Sequence, residues 1–193
     1  MLHRLLLPTV ISLTILWVPA VPAAPPDAGE SEFIGQTVAL FTNEGTGNAN
    51  NPYYDTNSSH TNYAFTAGLG LGLGNDFEAG FSVGYGRLST SECGLLGCNT
   101  GSVSDRQWSV FVRHNFVAGS DGNNYAFSGF EFSAVYPDAG FGRITMLRPY
   151  VGYRFGLPQD WALELAVGGA QVVSGTAAIS SGYEVRLGLA IPL

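Results

Sequence analysis

The sequence predicts an all-β fold: a closed, eight-stranded antiparallel up-and-down barrel that crosses a membrane. Three observations carry this expectation. Eight segments alternate apolar and polar residues with a period of two, and no helical periodicity competes with them. The polar faces of those segments collect glycines and opposite charges, which a packed soluble core does not accommodate. Charge is also scarce: only 12% of the 193 residues are charged, none is Lys, and 46% are hydrophobic, so little remains to solvate an ordinary surface.

Met1 to Ala24, MLHRLLLPTVISLTILWVPAVPAA, stands apart from the barrel. Arg4 sits in a short leading region, an apolar stretch runs from Leu5 to about Val18, and Val21-Pro22-Ala23 fits small-residue cleavage after Ala23. Residues 1–23 are therefore expected to be a secretory signal peptide. The apolar run is short, contains Pro8 and lacks a stop-transfer flank, and no later segment approaches 18 apolar residues. Residues 24–32, APPDAGESE, read as a flexible lead-in, and residues 33–193 as the barrel.

The eight strands are expected at 33–42, 61–74, 77–89, 106–118, 125–136, 144–157, 161–174 and 182–193. In the first, Val38 and Leu40 are placed with the apolar set. The second puts Tyr63, Phe65, Ala67, Leu69, Leu71 and Leu73 on one face and Gly68, Gly70, Gly72 and Gly74 on the other. The third opposes Phe77, Phe81, Val83 and Tyr85 to Glu78, Gly80 and Gly84; the fourth opposes Trp108, Val110, Val112 and Phe116 to Gln107, Ser109 and Arg113. Phe130 and Phe132 oppose Glu131 in the fifth, and Leu147, Val151 and Phe155 oppose Arg148, Tyr150 and Arg154 in the sixth. Trp161, Leu163, Leu165 and Val167 oppose Glu164 in the seventh, and Tyr183, Val185, Leu187 and Leu189 oppose Glu184 and Arg186 in the last. Tight turns at Gly74-Asn75-Asp76, at GSDGNN from Gly119 and at Leu157–Asp160 alternate with long connections, about 18 residues from Asn43 and about 16 from Thr90.

The polar faces gather four Glu and four Arg: Glu78, Arg113, Glu131, Arg148, Arg154, Glu164, Glu184 and Arg186. If these point inward, the apolar faces point outward and the surrounding medium is hydrocarbon. The sheet must then close, since an open edge in hydrocarbon leaves backbone donors and acceptors unpaired. An eight-stranded barrel is just wide enough for side chains to fill, so the balanced charges read as a salt-bridged plug rather than a conducting pore. Glycines of the second and third strands are expected to make room for Arg and Tyr150. Glu78 with Arg113, and Arg154 with Glu164, lie on adjacent strands at similar heights.

Aromatic residues provide an independent test. Phe77, Phe116, Phe155 and Trp161 lie at the tight-turn ends of the apolar faces, and Tyr63, Tyr85, Trp108, Tyr136 and Tyr183 at the opposite ends. Phe77 to Tyr85 and Trp108 to Phe116 each span roughly 26 Å of strand, or about 20 Å of height at a tilt near 40°, close to the apolar band of a membrane barrel.

With an even strand count, the run RPYVGYRFGL at Arg148 to Leu157 and the terminal strand YEVRLGLAIPL, the chain from about Phe33 to Leu193 resembles the small eight-stranded outer-membrane barrels of Gram-negative bacteria, the OmpA/OmpX-like outer-membrane β-barrel domain family. Family members usually end in Phe or Trp, whereas this chain ends in Ile191-Pro192-Leu193. The resemblance implies residence in an outer membrane with both termini in the periplasm, contact with outer-membrane lipid, insertion by the barrel-assembly machinery and a monomeric state.

Few residues point to chemistry. Cys93 and Cys98, in ECGLLGCNTG, are expected to close a small loop as a disulfide in an oxidising compartment. Too few other ligands lie near them for a metal site, and the net charge of −7 argues against nucleic acid as a partner. The chain also resembles outer-membrane lipid A deacylases in size, barrel type and terminal IPL. That family carries a His-x-Ser pair, and here His114 is followed by Asn115 and Phe116. His60, with Asp55, Ser58 and Ser59 nearby, has residue types suited to nucleophilic catalysis but equally to a solvated loop. Tyr53, Tyr54 and His60 are candidate loop contacts to an extracellular ligand. The expected function is a non-enzymatic surface, structural or adhesive barrel without cofactor or metal; the alternatives are a lipid A-modifying enzyme and a narrow pore.

Overall fold

The structure is a computed structural model that describes residues 25–46, 56–94, 97–117, 124–138, 142–174 and 181–193. Eight strands follow one another: β1 (Ser31–Thr46), β2 (Thr56–Gly74), β3 (Phe77–Gly94), β4 (Gly97–Val117), β5 (Asn124–Pro137), β6 (Ile144–Gly156), β7 (Ala162–Ser174) and β8 (Ser181–Pro192). Each pairs antiparallel with the next, and β1 pairs with β8 from Glu32↔Pro192 to Phe41↔Tyr183, which closes the barrel. Closure removes the edges that an open sheet would expose.

Local sequence explains the tight turns. Asn75 and Asp76 have φ of 51° and 63°, so the two-residue connection between β2 and β3 takes the left-handed conformation that matches strand twist and that Asn and Asp tolerate. A 3-10 turn, Pro158–Asp160, joins β6 to β7, with Gln159 at φ 68° and Asp160 at φ 61°. Pro149 has no N–H to donate, and the β6–β7 pairing lapses at Arg148 and Pro149 between Leu147↔Gln171 and Tyr150↔Gly168.

The barrel is apolar outside and charged inside. Phe65 is 61% exposed and Val83 and Val151 57%, whereas Glu78 is fully buried and Arg113, Arg154 and Glu164 are 2% exposed. Glycines on the inner face make room for particular neighbours. A Cβ on Gly70 would meet the Glu78 carboxylate and Glu32, one on Gly80 the Phe111 ring, and one on Gly84 the Gln107 side chain. Tyr150 lies against Gly129 and Gly168 of its neighbouring strands, and with Gly68 of β2 it lines one small internal cavity.

β1 departs from the sequence expectation. Val38 and Leu40 are buried with Ile34 on the inner face, and Phe33 is exposed. Apolar residues occupy both parities of this strand, so its pattern is ambiguous, and its partners decide. Thr37 pairs with Phe65 and with Leu187, both exposed, which fixes odd positions of β1 outward. Ser31 and Glu32, expected in the lead-in, belong to β1, and Gly29 and Glu30 continue with backbone hydrogen bonds to Gly72 at 2.9 Å each.

The first and third connections are also shorter than expected, because the ladder runs on. β1 and β2 stay paired to Thr46↔Thr56, and β3 and β4 to Gly94↔Gly97. β8 pairs with β1 only as far as Phe41, and β5 with β4 only from Asp105. The outer parts of β1–β4 therefore stand beyond the rim as a four-stranded sheet. Both faces there are rich in Ser, Thr and Asn, so no hydrophobic period marks them as strand.

Gly80→Ala is expected to lower stability by roughly 1–3 kcal/mol through overpacking against Phe111, whereas Gly101→Ala, where an added Cβ meets nothing within 4 Å, should stay within about 0.5 kcal/mol of the parent. Urea unfolding of the protein in lipid vesicles measures both.

Candidate functional site

The barrel interior holds two charge clusters. The first lies toward the tight turns, because Glu32 opens β1, Glu78 opens β3, Glu164 lies near the start of β7, and Arg113 and Arg154 lie near the ends of β4 and β6. Arg113 bridges three carboxylates: it donates to Glu32 at 2.6 Å, to Glu78 at 2.6 Å and to Glu164 at 2.7 Å. Arg154 donates to Glu32 at 2.6 Å and pairs closely with Glu164. Gln36 Nε2 adds a donor to the other Glu164 oxygen at 3.2 Å. The guanidinium of Arg113 also lies 5.2 Å from the Phe127 ring centroid, and that of Arg154 lies 5.2 Å from that of Tyr125.

The second cluster lies farther toward the outer rim and is a closed ring of four. Arg148 donates to Glu131 at 2.9 Å and to Glu184 at 2.5 Å; Arg186 donates to Glu131 at 2.5 Å and pairs closely with Glu184. Tyr150 stacks beside Arg186, whose guanidinium carbon is 4.3 Å from the ring centroid. Two guanidiniums face two carboxylates here, whereas two face three in the first cluster.

Between the clusters, Gln36, Thr66, Ser82, Phe111 and Tyr150 enclose about 10 Å³ of free space, about one water-sized sphere. Nearer the outer rim, Leu40, Val135, Ile144, Met146 and Ala170 form an apolar cluster inside the mouth. Among the described residues, side chains therefore lie along the barrel interior from one charge cluster to the apolar mouth.

All eight charged residues singled out from the sequence face the interior and join these clusters, and Glu78–Arg113 and Arg154–Glu164 are in contact. Glu32 is the member that sequence reasoning missed, because APPDAGESE reads as a polar tail. The available signal was parity: Glu32 continues the Ile34, Gln36, Val38 face once pairing with β2 is known.

The aromatic residues Tyr63, Phe77, Tyr85, Trp108, Phe116, Tyr136, Phe155, Trp161 and Tyr183 are all exposed on the outside. Trp108 Nε1 donates to Tyr136 Oη at 3.4 Å, and Tyr183 stacks on Phe41 at 5.4 Å. His114 sits between the Phe77 and Phe116 rings, 4.6 and 4.4 Å away, at the tight-turn end. His60 lies on β2, paired with Thr42 and Thr90. Cys93 stands directly opposite Cys98 across the β3–β4 ladder. Tyr53, Tyr54 and the expected signal peptide, residues 1–23, lie outside the described residues.

Fold and interior together define a closed eight-stranded antiparallel up-and-down barrel with an apolar exterior and an ion-paired lumen. Among solved structures, the chain is similar to the outer membrane protein OprG from Pseudomonas aeruginosa, with a TM-score of 0.56 and 10% identity over 90% of this chain and 99% of that one. The translocator domain of the autotransporter NalP from Neisseria meningitidis aligns over 85% and 88% of the two chains at 11% identity, with a TM-score of 0.33 that is too low to bear on the fold. No family model matches the sequence, and no curated protein matches it.

Arg113→Met strands the buried Glu78 carboxylate and leaves Glu32 and Glu164 to Arg154 alone, and is expected to cost roughly 3–5 kcal/mol. Glu78→Gln, which leaves Arg113 with Glu32 and Glu164, should cost less. Guanidinium unfolding midpoints in vesicles measure the difference, and the double variant should cost less than the two single costs added together.

Proposed function

We propose that this chain is an exported outer-membrane barrel of the OmpA/OmpX-like kind, non-enzymatic and non-conducting, with its surface, structural or adhesive role carried by the β1–β4 sheet and its loops. The observation that carries the reading is the filled lumen: buried Arg–Glu clusters with about 10 Å³ between them, inside a wall that is apolar on its outer face. An exterior bearing Phe65, Val83, Val151 and Leu187, each more than half exposed, suits hydrocarbon. Its two aromatic belts suit the two interfaces of a bilayer. Export through the expected signal peptide, insertion by the barrel-assembly machinery and a monomeric state complete the reading, and the similarity to OprG is consistent with it.

The lipid A deacylase alternative has less support. His114 lacks the neighbouring Ser and lies at the tight-turn end, remote from the long hairpins that would face the outer leaflet. The narrow-pore alternative meets the blocked axis.

Planar-bilayer recording of the purified barrel tests the closed lumen. No discrete conductance steps are expected, and reproducible single-channel openings would contradict the proposal. Mass spectrometry of lipid A from cells with and without the protein should give identical acylation; a missing acyl chain would establish the enzyme instead. The direct Cys93↔Cys98 register further predicts a disulfide in the exported protein. A maleimide reagent should label the unfolded chain only after reduction.

A further inference from the structure

The barrel domain carries seven arginines, and the interior clusters use four of them. The other three, Arg87 on β3, Arg106 on β4 and Arg143 just before β6, are exposed and share one sector of the outside at the outer rim. Register places them together. Tyr63 pairs with Arg87, Tyr85 with Arg106, and Arg106 with Tyr136, so Arg87 and Arg106 occupy diagonal positions on neighbouring strands, facing outward. Arg143 lies beside the Tyr136 hydroxyl, which accepts from Trp108 Nε1. Among the described residues one exposed carboxylate shares this patch, Asp138, which pairs with Arg106 at 2.9 Å, and the buried Asp105 carboxylate lies within electrostatic reach of it. Three guanidiniums against these two carboxylates leave the patch with excess positive charge, on a chain whose net charge is −7.

The patch has a different surface on each side. On the membrane side lie the outer aromatic residues and then Phe65, Val83, Val110 and Phe132, all exposed and apolar. On the outer side a groove of about 360 Å³ opens on the projecting sheet, lined by Arg87 and the hydroxyls of Thr61, Ser89, Ser91, Thr100 and Ser102. Arg87 Nη2 donates to Ser102 Oγ at 2.6 Å, which holds the guanidinium at the foot of the groove. Apolar wall, cationic band and hydroxyl groove thus follow in order along the outer normal.

We propose that Arg87, Arg106 and Arg143 form a binding site for the phosphate groups of a phosphorylated outer-leaflet glycolipid, with its acyl chains on the apolar wall and its sugar hydroxyls in the Ser/Thr groove. Guanidinium forks match phosphate oxygens bidentately, and a band of arginines beside an interfacial aromatic belt lies at headgroup height. A free phosphate would use the cationic band alone; the acyl and sugar surfaces on either side favour an amphiphile. The inference rests on the membrane-barrel reading above.

Native mass spectrometry of the mature full-length barrel in dodecyl maltoside tests it. The probes are a hexa-acylated bisphosphorylated glucosamine disaccharide and the same lipid without phosphates. The unsubstituted barrel should bind the bisphosphorylated lipid about tenfold more tightly, consistent with charge-assisted contacts. Arg87→Gln/Arg106→Gln/Arg143→Gln should reduce that preference to about twofold or less while unboiled samples still migrate as compact barrels. The single variant Arg87→Gln, exposed and outside the interior clusters, should weaken it about threefold. Equal binding of the two lipids by the parent overturns the site, and so does a preference that survives the substitutions. Displacement of the bound lipid by millimolar inorganic phosphate overturns the lipid assignment in favour of a soluble anion. Loss of compact migration by the parent protein refutes the barrel reading instead, so the two fail separately.

Discussion

Burying charge inside an eight-stranded barrel obliges every guanidinium to find carboxylates, because removing an ion from water costs several kcal/mol that only close, multiple pairing offsets. Arg113 meets this demand with three Glu side chains, and Arg148 and Arg186 with a shared pair, Glu131 and Glu184. Much else follows from that requirement. Glu78 reaches its partner because Gly70 offers no side chain in its way. Register is held in turn, since a one-residue slip of any strand would carry its charges to the apolar outside and its Phe and Leu residues into the clusters.

The same alternation assigns the two faces to different tasks. Inside, ion pairs and aromatic rings fill the axis, and an apolar cluster of Leu40, Val135, Ile144 and Met146 lies within the mouth. On the proposed reading, a lumen filled in this way supplies rigidity, not a path. The surfaces left for interaction lie outside: the hydroxyl-rich sheet of β1–β4 that rises past the rim, and the arginine band at its foot. The proposed structural and recognition roles would therefore be separated along the barrel, with the interior clusters holding the wall that displays the outer surface.

Much of this was legible in the sequence where one parity is cleanly apolar. β3, β4, β7 and β8 set Phe, Val or Leu at alternate positions against a face of small or polar residues with a few Glu and Arg, and those charges lie where the alternation put them. β1 was not legible in the same way: SEFIGQTVALF carries apolar residues on both parities, and only its pairing with β2 and β8 turns Val38 and Leu40 inward. Glu32 was hidden for a related reason, since one carboxylate in a polar tail has no period to betray it. The projecting hairpins escaped because both parities of their sequence are rich in Ser, Thr and Asn, so the ladder continues without a hydrophobic signal. Arg87 and Arg106 were visible as residues, but their adjacency depends on the register between β3 and β4.

A membrane barrel requires that hydrocarbon cover the apolar outer face while charge fills the middle. Spin-label scanning along β4 in lipid vesicles tests this most directly. Single cysteines replace each residue from Trp108 to Phe116 in a background with Cys93→Ser and Cys98→Ser, and relaxation by oxygen, which partitions into hydrocarbon, is compared with relaxation by a water-soluble nickel chelate. The account predicts a period of two, with oxygen access high at 108, 110, 112 and 116 and low at 109, 111, 113 and 115. Uniform chelate access along the strand, or high oxygen access at 109, 111 and 113 instead, would contradict it.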